Sequence, residues 1–173
     1  NEAMSDIFGA ATEAYSAGGI SSNTWKIGEA CYTPATAGDA LRYMNNPTAD
    51  GYSKDYYPER LYAYNCTPSS SNDYCGVHGN SGVANLAFYL MVSGGSHPRA
   101  KTSIAVTSIG LSRAEQIFYR ALTVYLTSSS TYVGARNATA QAATDLYGST
   151  YATYVHQALD AVGVPGGPVN MNE

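Results

Sequence analysis

The stretch NSGVANLAFYLMVSGG (80–95) decides the fold class. Val83, Leu86, Ala87, Leu90 and Met91 recur at the spacing of one helix face, so the segment reads as an amphipathic α-helix and not a strand. Asn80 and Ser81 are capping residues at its start, and Gly94-Gly95 ends it. Downstream, Ser112-Arg113-Ala114-Glu115 has the form of a capping box. It leads into IFYRALTVYL (117–126), with Ile117, Ala121, Leu122 and Tyr125 as the buried face. Thr131 precedes a small-residue helix that stops at Tyr147-Gly148. Ser149 and Thr150 then cap a last helix with Val155, Leu159 and Val162 inside, closed by Gly163. At the other end of the chain a helix is expected from Glu2 to Ala17, with Gly18-Gly19 as its stop and Ala3, Met4, Ile7, Phe8 and Ala11 as its apolar stripe. Residues 20–75 carry prolines at 34, 47, 58 and 68 and only one plausible short strand, TWKIG (24–28). An irregular region of that length inside a compact chain is usually functional or ion-stabilised. The expectation is an all-α bundle of about five helices, with one domain over residues 1–164 and a flexible tail at 165–173.

Charged residues make up 13% of the chain, about half the usual ~25%. Serine, threonine, asparagine, glycine and 16 tyrosines replace them. A net charge of −4 without a basic run argues against nucleic acid and against anionic membrane as partners. No apolar stretch approaches the ~18 residues of a membrane span. The absence of an initiator methionine and of a signal peptide reads as a processed or cut N-terminus. Cys66 and Cys75 bracket the polar run TPSSSNDY, a suitable geometry for a loop-closing disulfide and hence for an oxidising, extracellular setting. Cys31 is left over, as a buried thiol or as the partner of a cysteine outside this chain. Asn65-Cys66-Thr67 and Asn137-Ala138-Thr139 are glycosylation sequons.

Few residues carry chemistry. Glu2 and Asp6 stand at i and i+4, about 6 Å apart at Cβ on one helix face, and border the apolar stripe instead of avoiding it. An acidic first turn is also an ordinary response to the helix dipole. His78 lies in NDYCGVHGNSG (72–82), five residues after Asp73. A carboxylate there would fix the ring tautomer and favour the charged form of the ring, and the charged or donor-poised imidazole could then stabilise a developing oxyanion; a helix-capping histidine packed in a turn is the alternative. His97, before a proline, reads as a solvated loop residue and His156 as structural. The three histidines lack the local spacing of a complete metal site. There is no G-x-S-x-G elbow, P-loop or dinucleotide pattern. Arg42, in DALRYM (39–44), is either a surface guanidinium or a bidentate clamp for a carbonyl or oxyanion.

Taken in order, NEAMSDIFG, IGEACYTP, GDALRYM, GVHGNSG, IFYRALTVYLT, ATDLYGS and AVGV resemble the C-terminal, mostly α-helical domain of thermolysin-like zinc metalloproteases. The resemblance runs from Asn1 to about Val164, and the N-terminal domain with its H-E-x-x-H helix has no counterpart here.

That resemblance implies a set of roles. Glu2 would be the third protein ligand of a catalytic zinc, and Asp6 the carboxylate that orients one of the ligand histidines. His78 would hydrogen-bond the tetrahedral oxyanion, Asp73 would hold His78, and Arg42 would bind the carbonyl of the residue after the cleaved bond. Ile27 and Leu41 would wall the pocket for a bulky hydrophobic side chain, with Cys31 near that wall. Glu13 and Glu29 would contribute to one calcium site, where Lys26 in place of an acid argues for a single ion. Tyr32, Thr33, Thr36 and Asp39 would form another calcium loop. The implied protein is a secreted zinc endopeptidase cleaving before bulky hydrophobic residues, with a peptide or protein substrate. This chain would be inactive without its N-terminal half. The implied partners are that half and a propeptide or protein inhibitor. The alternative is a non-catalytic module or autolysis fragment that binds such a partner.

Overall fold

A computed structural model describes residues 1–166; residues 167–173, most of the expected flexible tail, lie outside the described residues. The chain forms two compact units, Asn1–Tyr89 and a second that begins at Leu90. Among the described residues five α-helices dominate and the sheets are minimal, as the periodicity predicts.

In the first unit α1 spans Glu2–Ser16. It stops where expected: Gly18 has φ 75° and donates to Tyr15 O, and Gly19 donates to Ala14 O at 2.8 Å, closing the last turn. Its buried stripe is Ile7, Ala10, Ala11 and Ala14 together with one charged residue, Asp6. The predicted strand shrinks to β1 (Lys26–Ile27), paired antiparallel with β2 (Arg42–Tyr43) in the register Ile27 to Arg42. The irregular region is otherwise ordered by 3-10 turns at Pro47–Asp50, Tyr57–Glu59 and Ser70–Asn72. Trp25 packs edge-on against Phe88 and Tyr89, with centroids 6.4 and 5.1 Å away.

The helix α2 (Asp73–Ser93) begins before the capping residues read from the sequence. Tyr74, Cys75 and Gly76 are left-handed, with φ of 47, 68 and 74°, so regular helix starts only beyond them. The expected caps are used elsewhere. Asn80 bonds both backbone groups of Leu61, donating to its carbonyl at 3.0 Å and accepting from its N–H at 2.7 Å, and Ser81 donates to His78 O at 2.7 Å. Asp73 takes over at the helix start, its Oδ2 accepting the His78 N–H at 3.0 Å. Glycines at 79 and 82 let residues 47–61 lie directly on α2. A Cβ on Gly82 would fall 2.5 Å from Lys54 O, and one on Gly79 2.8 Å from the Tyr52 ring. The disulfide Cys66–Cys75 is present, with Cα atoms 5.9 Å apart.

In the second unit a two-residue pair, β3 (Gly95–Ser96) with β4 (Ala105–Val106), follows α2. His97 in the intervening turn is not solvated as expected: only 3% of it is exposed. Its Nδ1 accepts the Arg99 N–H at 3.2 Å, so the ring caps the turn and is drawn inside. Helix α3 (Leu111–Arg120) does not use the expected capping box. Gly110 is the residue before the first turn, Ala114 N–H bonds its carbonyl, and Ser112 instead accepts from Gln116. The continuation Ala121–Tyr125 widens to a π-helix. That changes the angular step per residue, so Ile117 and Ala121 stay buried while Leu122, expected inside, is 37% exposed. Helices α4 (Tyr132–Tyr147) and α5 (Ser149–Ala161) lie against each other; Ala138, Ala140, Ala142 and Ala143 of α4 are buried, and Val155, Leu159 and Val162 are buried as predicted. Thr131 caps α4 by accepting the Gly134 N–H at 3.2 Å. Ser149 lies inside the first turn of α5, and Gly148 precedes it.

Candidate active site

The functional residues expected from the sequence gather in the first unit at the start of α1, the start of α2 and strand β2. His78 is the centre. Its Nδ1 is in a short hydrogen bond with Asp73 Oδ1, and its Nε2 lies 3.2 Å from Glu2 Oε2. Half of the imidazole side chain, 51%, is exposed. A buried capping histidine would be neither exposed nor flanked by two carboxylates.

The left-handed turn at 73–76 explains how two residues five apart meet. Asp73 curls back so that Oδ2 receives the His78 backbone N–H while Oδ1 receives the ring. The same Oδ2 accepts the Tyr52 hydroxyl at 3.1 Å. Desolvation pushes the Asp73 carboxyl up, but the donors from the His78 ring, the His78 backbone and Tyr52 outweigh it and leave the pKa lowered. Tyr52 is raised, first by desolvation and then by its bond to Asp73, so its phenol stays protonated as a donor at neutral pH.

One turn along α1 from Glu2, Asp6 is buried at 4% exposure and meets Arg42 in a bidentate pair. Nε to Oδ2 is 2.8 Å and Nη2 to Oδ1 is 2.7 Å. Asn85 of α2 adds a third donor to Oδ2 at 2.8 Å. The guanidinium pKa is raised, chiefly by that bond to Asp6. The β1–β2 pairing holds Arg42 in place, with Leu41 N–H on Ile27 O at 2.9 Å and Met44 N–H on Trp25 O at 2.8 Å. This side-on pairing leaves the Nη1–Nη2 edge of the guanidinium with donors for a second, end-on fork. Nε and Nη2 each donate one proton to Asp6, and Nη1 makes no hydrogen bond among the described residues.

Leu41 and Cys31 both approach Gly28, the residue after Ile27. A Cβ on Gly28 would lie 3.5 Å from Leu41 Cβ and 3.7 Å from Cys31 Sγ. Leu41 is 41% exposed and Cys31 is a free, exposed thiol, so neither is core material.

The residues considered for calcium fall into two kinds. Glu13 is raised by desolvation and then by the charge of Glu29, so the two carboxylates lie close enough to repel. Lys26 instead points Nζ to Asn23 Oδ1 at 3.5 Å. The turn at 32–39 is closed on itself: Asp39 accepts from Thr33 at 2.7 Å, from Ala40 N–H at 2.9 Å and from Tyr43 at 3.0 Å. These bonds lower the Asp39 pKa, that from Thr33 most. Tyr32 and Thr36 contribute no side-chain oxygen to Asp39. Among the described residues no three histidine, cysteine, aspartate or glutamate side chains converge as a metal ion requires.

Sequence reasoning missed Tyr52 and Asn85. Both approach from far along the chain, and nothing in their neighbouring residues marks them.

Comparisons with known proteins identify the family. The family described as thermolysin metallopeptidase, alpha-helical domain, matches residues 1–164, and the chain belongs to that family. Bacillolysin of Bacillus caldolyticus is 46% identical over 166 residues, 95% of this chain and 28% of that protein. Thermolysin of Alicyclobacillus acidocaldarius subsp. acidocaldarius matches at the same identity and coverage, 46% over 166 residues. Neutral protease B of Bacillus subtilis (strain 168) is 39% identical over 166 residues. The chain spans only 28% of the length of the first two relatives.

Proposed function

We propose that this chain is the C-terminal half of a secreted zinc endopeptidase that cleaves peptide bonds before bulky hydrophobic residues. The observation that carries the reading is the file Asp73–His78–Glu2, in which a carboxylate-held, solvent-facing imidazole reaches the carboxylate assigned to zinc. Glu2 would hold the metal together with two histidines of an N-terminal half. When bound, zinc supplies Lewis acidity toward water and the scissile carbonyl. The chain's own residues do the rest. His78, in its doubly protonated form with Nδ1–H donating to Asp73, presents Nε2–H as a donor to the oxygen that gains charge as the carbonyl becomes tetrahedral. Arg42 offers Nη1–H and its second Nη2–H to the carbonyl of the next residue, while Asp6 holds the Nε–H and the other Nη2–H. Asp6 Oδ1 accepts from Arg42 Nη2 and retains acceptor capacity for a ligand histidine N–H from the N-terminal half. Ile27, Leu41 and Cys31 line one side of the hydrophobic pocket. The repulsion between Glu13 and Glu29 suits one calcium ion; the self-closed turn at 32–39 would have to open its Thr33–Asp39 bond to take another.

The test is reconstitution. The chain alone is expected to cleave nothing, because the general base and two ligands are missing. Mixed with a separately produced N-terminal half and zinc, it should cleave a peptide with Leu or Phe after the scissile bond. In the full-length protein His78→Ala should lower kcat by roughly 10²–10³ with zinc content unchanged. Complex formation without any cleavage would instead favour a non-catalytic module that binds its own other half, a propeptide or an inhibitor.

A further inference from the structure

Tyr52 belongs to none of the motifs that define the site, yet the fold holds it against Asp73 from three directions. Gly51 turns the chain at φ 77° after the 3-10 turn 47–50. Asp50 then clamps the next segment of chain: Oδ1 accepts the N–H groups of Tyr52 at 2.8 Å and Ser53 at 2.7 Å, and Oδ2 accepts the Ser53 hydroxyl at 2.6 Å. Lys54 N–H bonds Gly79 O at 2.9 Å, fastening the segment to α2 one residue beyond His78. The Tyr52 ring lies where a Cβ on Gly79 would stand 2.8 Å from Cε1, so this helical position has room for the ring only as glycine. The outcome is the hydroxyl on Asp73 Oδ2 at 3.1 Å.

We infer that Tyr52 is a positioning residue for His78, its hydroxyl locking the Asp73 carboxylate in the orientation that holds the imidazole toward Glu2. Without it, Asp73 keeps two bonds, both to residue 78 itself, and both can swing with that residue. Tyr52 is the anchor that ties the pair to a different part of the chain. Its ring is 47% exposed, which is more than a residue placed for core packing would leave in water. The inference deepens the protease reading and rests on it for its kinetic consequence.

The experiment uses the full-length protein with Tyr52→Phe, which keeps the ring over Gly79. Loss of a partner that orients a catalytic group typically costs 10–100-fold, so kcat should fall by roughly tenfold. KM and the melting temperature should change little. Combined with His78→Ala, Tyr52→Phe should cost nothing further, because it acts only through His78. Protein labelled with 15N-histidine gives a readout independent of activity: exchange of the His78 Nδ1 proton with solvent should quicken in Tyr52→Phe. A kcat within twofold of the parent, or a loss that multiplies with that of His78→Ala, overturns the inference while the protease reading stands. If instead His78→Ala leaves cleavage intact, that reading fails, and unchanged exchange in Tyr52→Phe then overturns the positioning role as well; faster exchange supports it.

Discussion

Replacing Cys66 and Cys75 together by serine tests how the strained entry to the site is maintained. The bridge closes a loop with a sequence separation of 9. For a loop of about 10 residues the chain-entropy relation gives ~9 cal/mol/K, or about 2.7 kcal/mol at 25 °C, by which the unfolded chain is held down. An opposing effect exists in the folded state. Asp73, Tyr74 and Cys75 are non-glycine residues at φ 54, 47 and 68°, each costing roughly 1 kcal/mol that a freed segment could recover. Recovery would require breaking other bonds. Asn72 Oδ1 accepts the Cys75 N–H at 3.0 Å, and Asp73 accepts the His78 N–H at 3.0 Å. The entropy effect therefore wins, and the net loss should be about 2–3 kcal/mol. For a chain of this length that lowers the melting temperature by ~4–12 °C. Circular dichroism of the double variant, and of the parent with and without dithiothreitol, measures it; Cys31 is present in all samples and cancels. A melting temperature within about 2 °C of the oxidised parent would show that the turn holds itself and that the argument is wrong.

Arg42→Met should cost about 3–5 kcal/mol, because it strips the buried Asp6 carboxylate of two donors and leaves only Asn85; adding Asp6→Asn should recover part of that loss, and thermal melts of both variants check it. The pH dependence is set partly by Asp145, whose pKa is lowered to about 2 by bonds from Tyr125 first, then Gln141 and Arg120. A carboxyl depressed below its ordinary value stabilises the fold fully above about pH 4, and that contribution is lost as pH falls from there toward 2. Asp145→Asn should therefore flatten the fall in melting temperature between pH 4 and 2, and parallel curves for parent and variant would contradict this.

The helices and their stops were legible because they depend on neighbours. Apolar residues three and four apart, a cap such as Thr131 and glycines such as Gly18, Gly94 and Gly163 act through local backbone geometry. The disulfide and the Asp73–His78 pair were legible for the same reason, since ten residues or fewer separate their members. Local reading failed where the folded backbone overrode it. Ser112 and Glu115 have the form of a capping box, yet Gly110 starts the helix. Leu122 fits the buried stripe until the π turn rotates it outward. His97 is polar and precedes a proline, yet it caps its own turn from inside. The tertiary structure alone decided that Arg42 closes on Asp6 across 36 positions, that Asn85 joins them across 79, and that Tyr52 reaches Asp73 across 21. Such pairs exist only because β1–β2 and the glycine face of α2 bring separate segments to hydrogen-bond distance. A side chain's own neighbours carry the signal for a turn of helix, but not for a partner that only the folded backbone delivers.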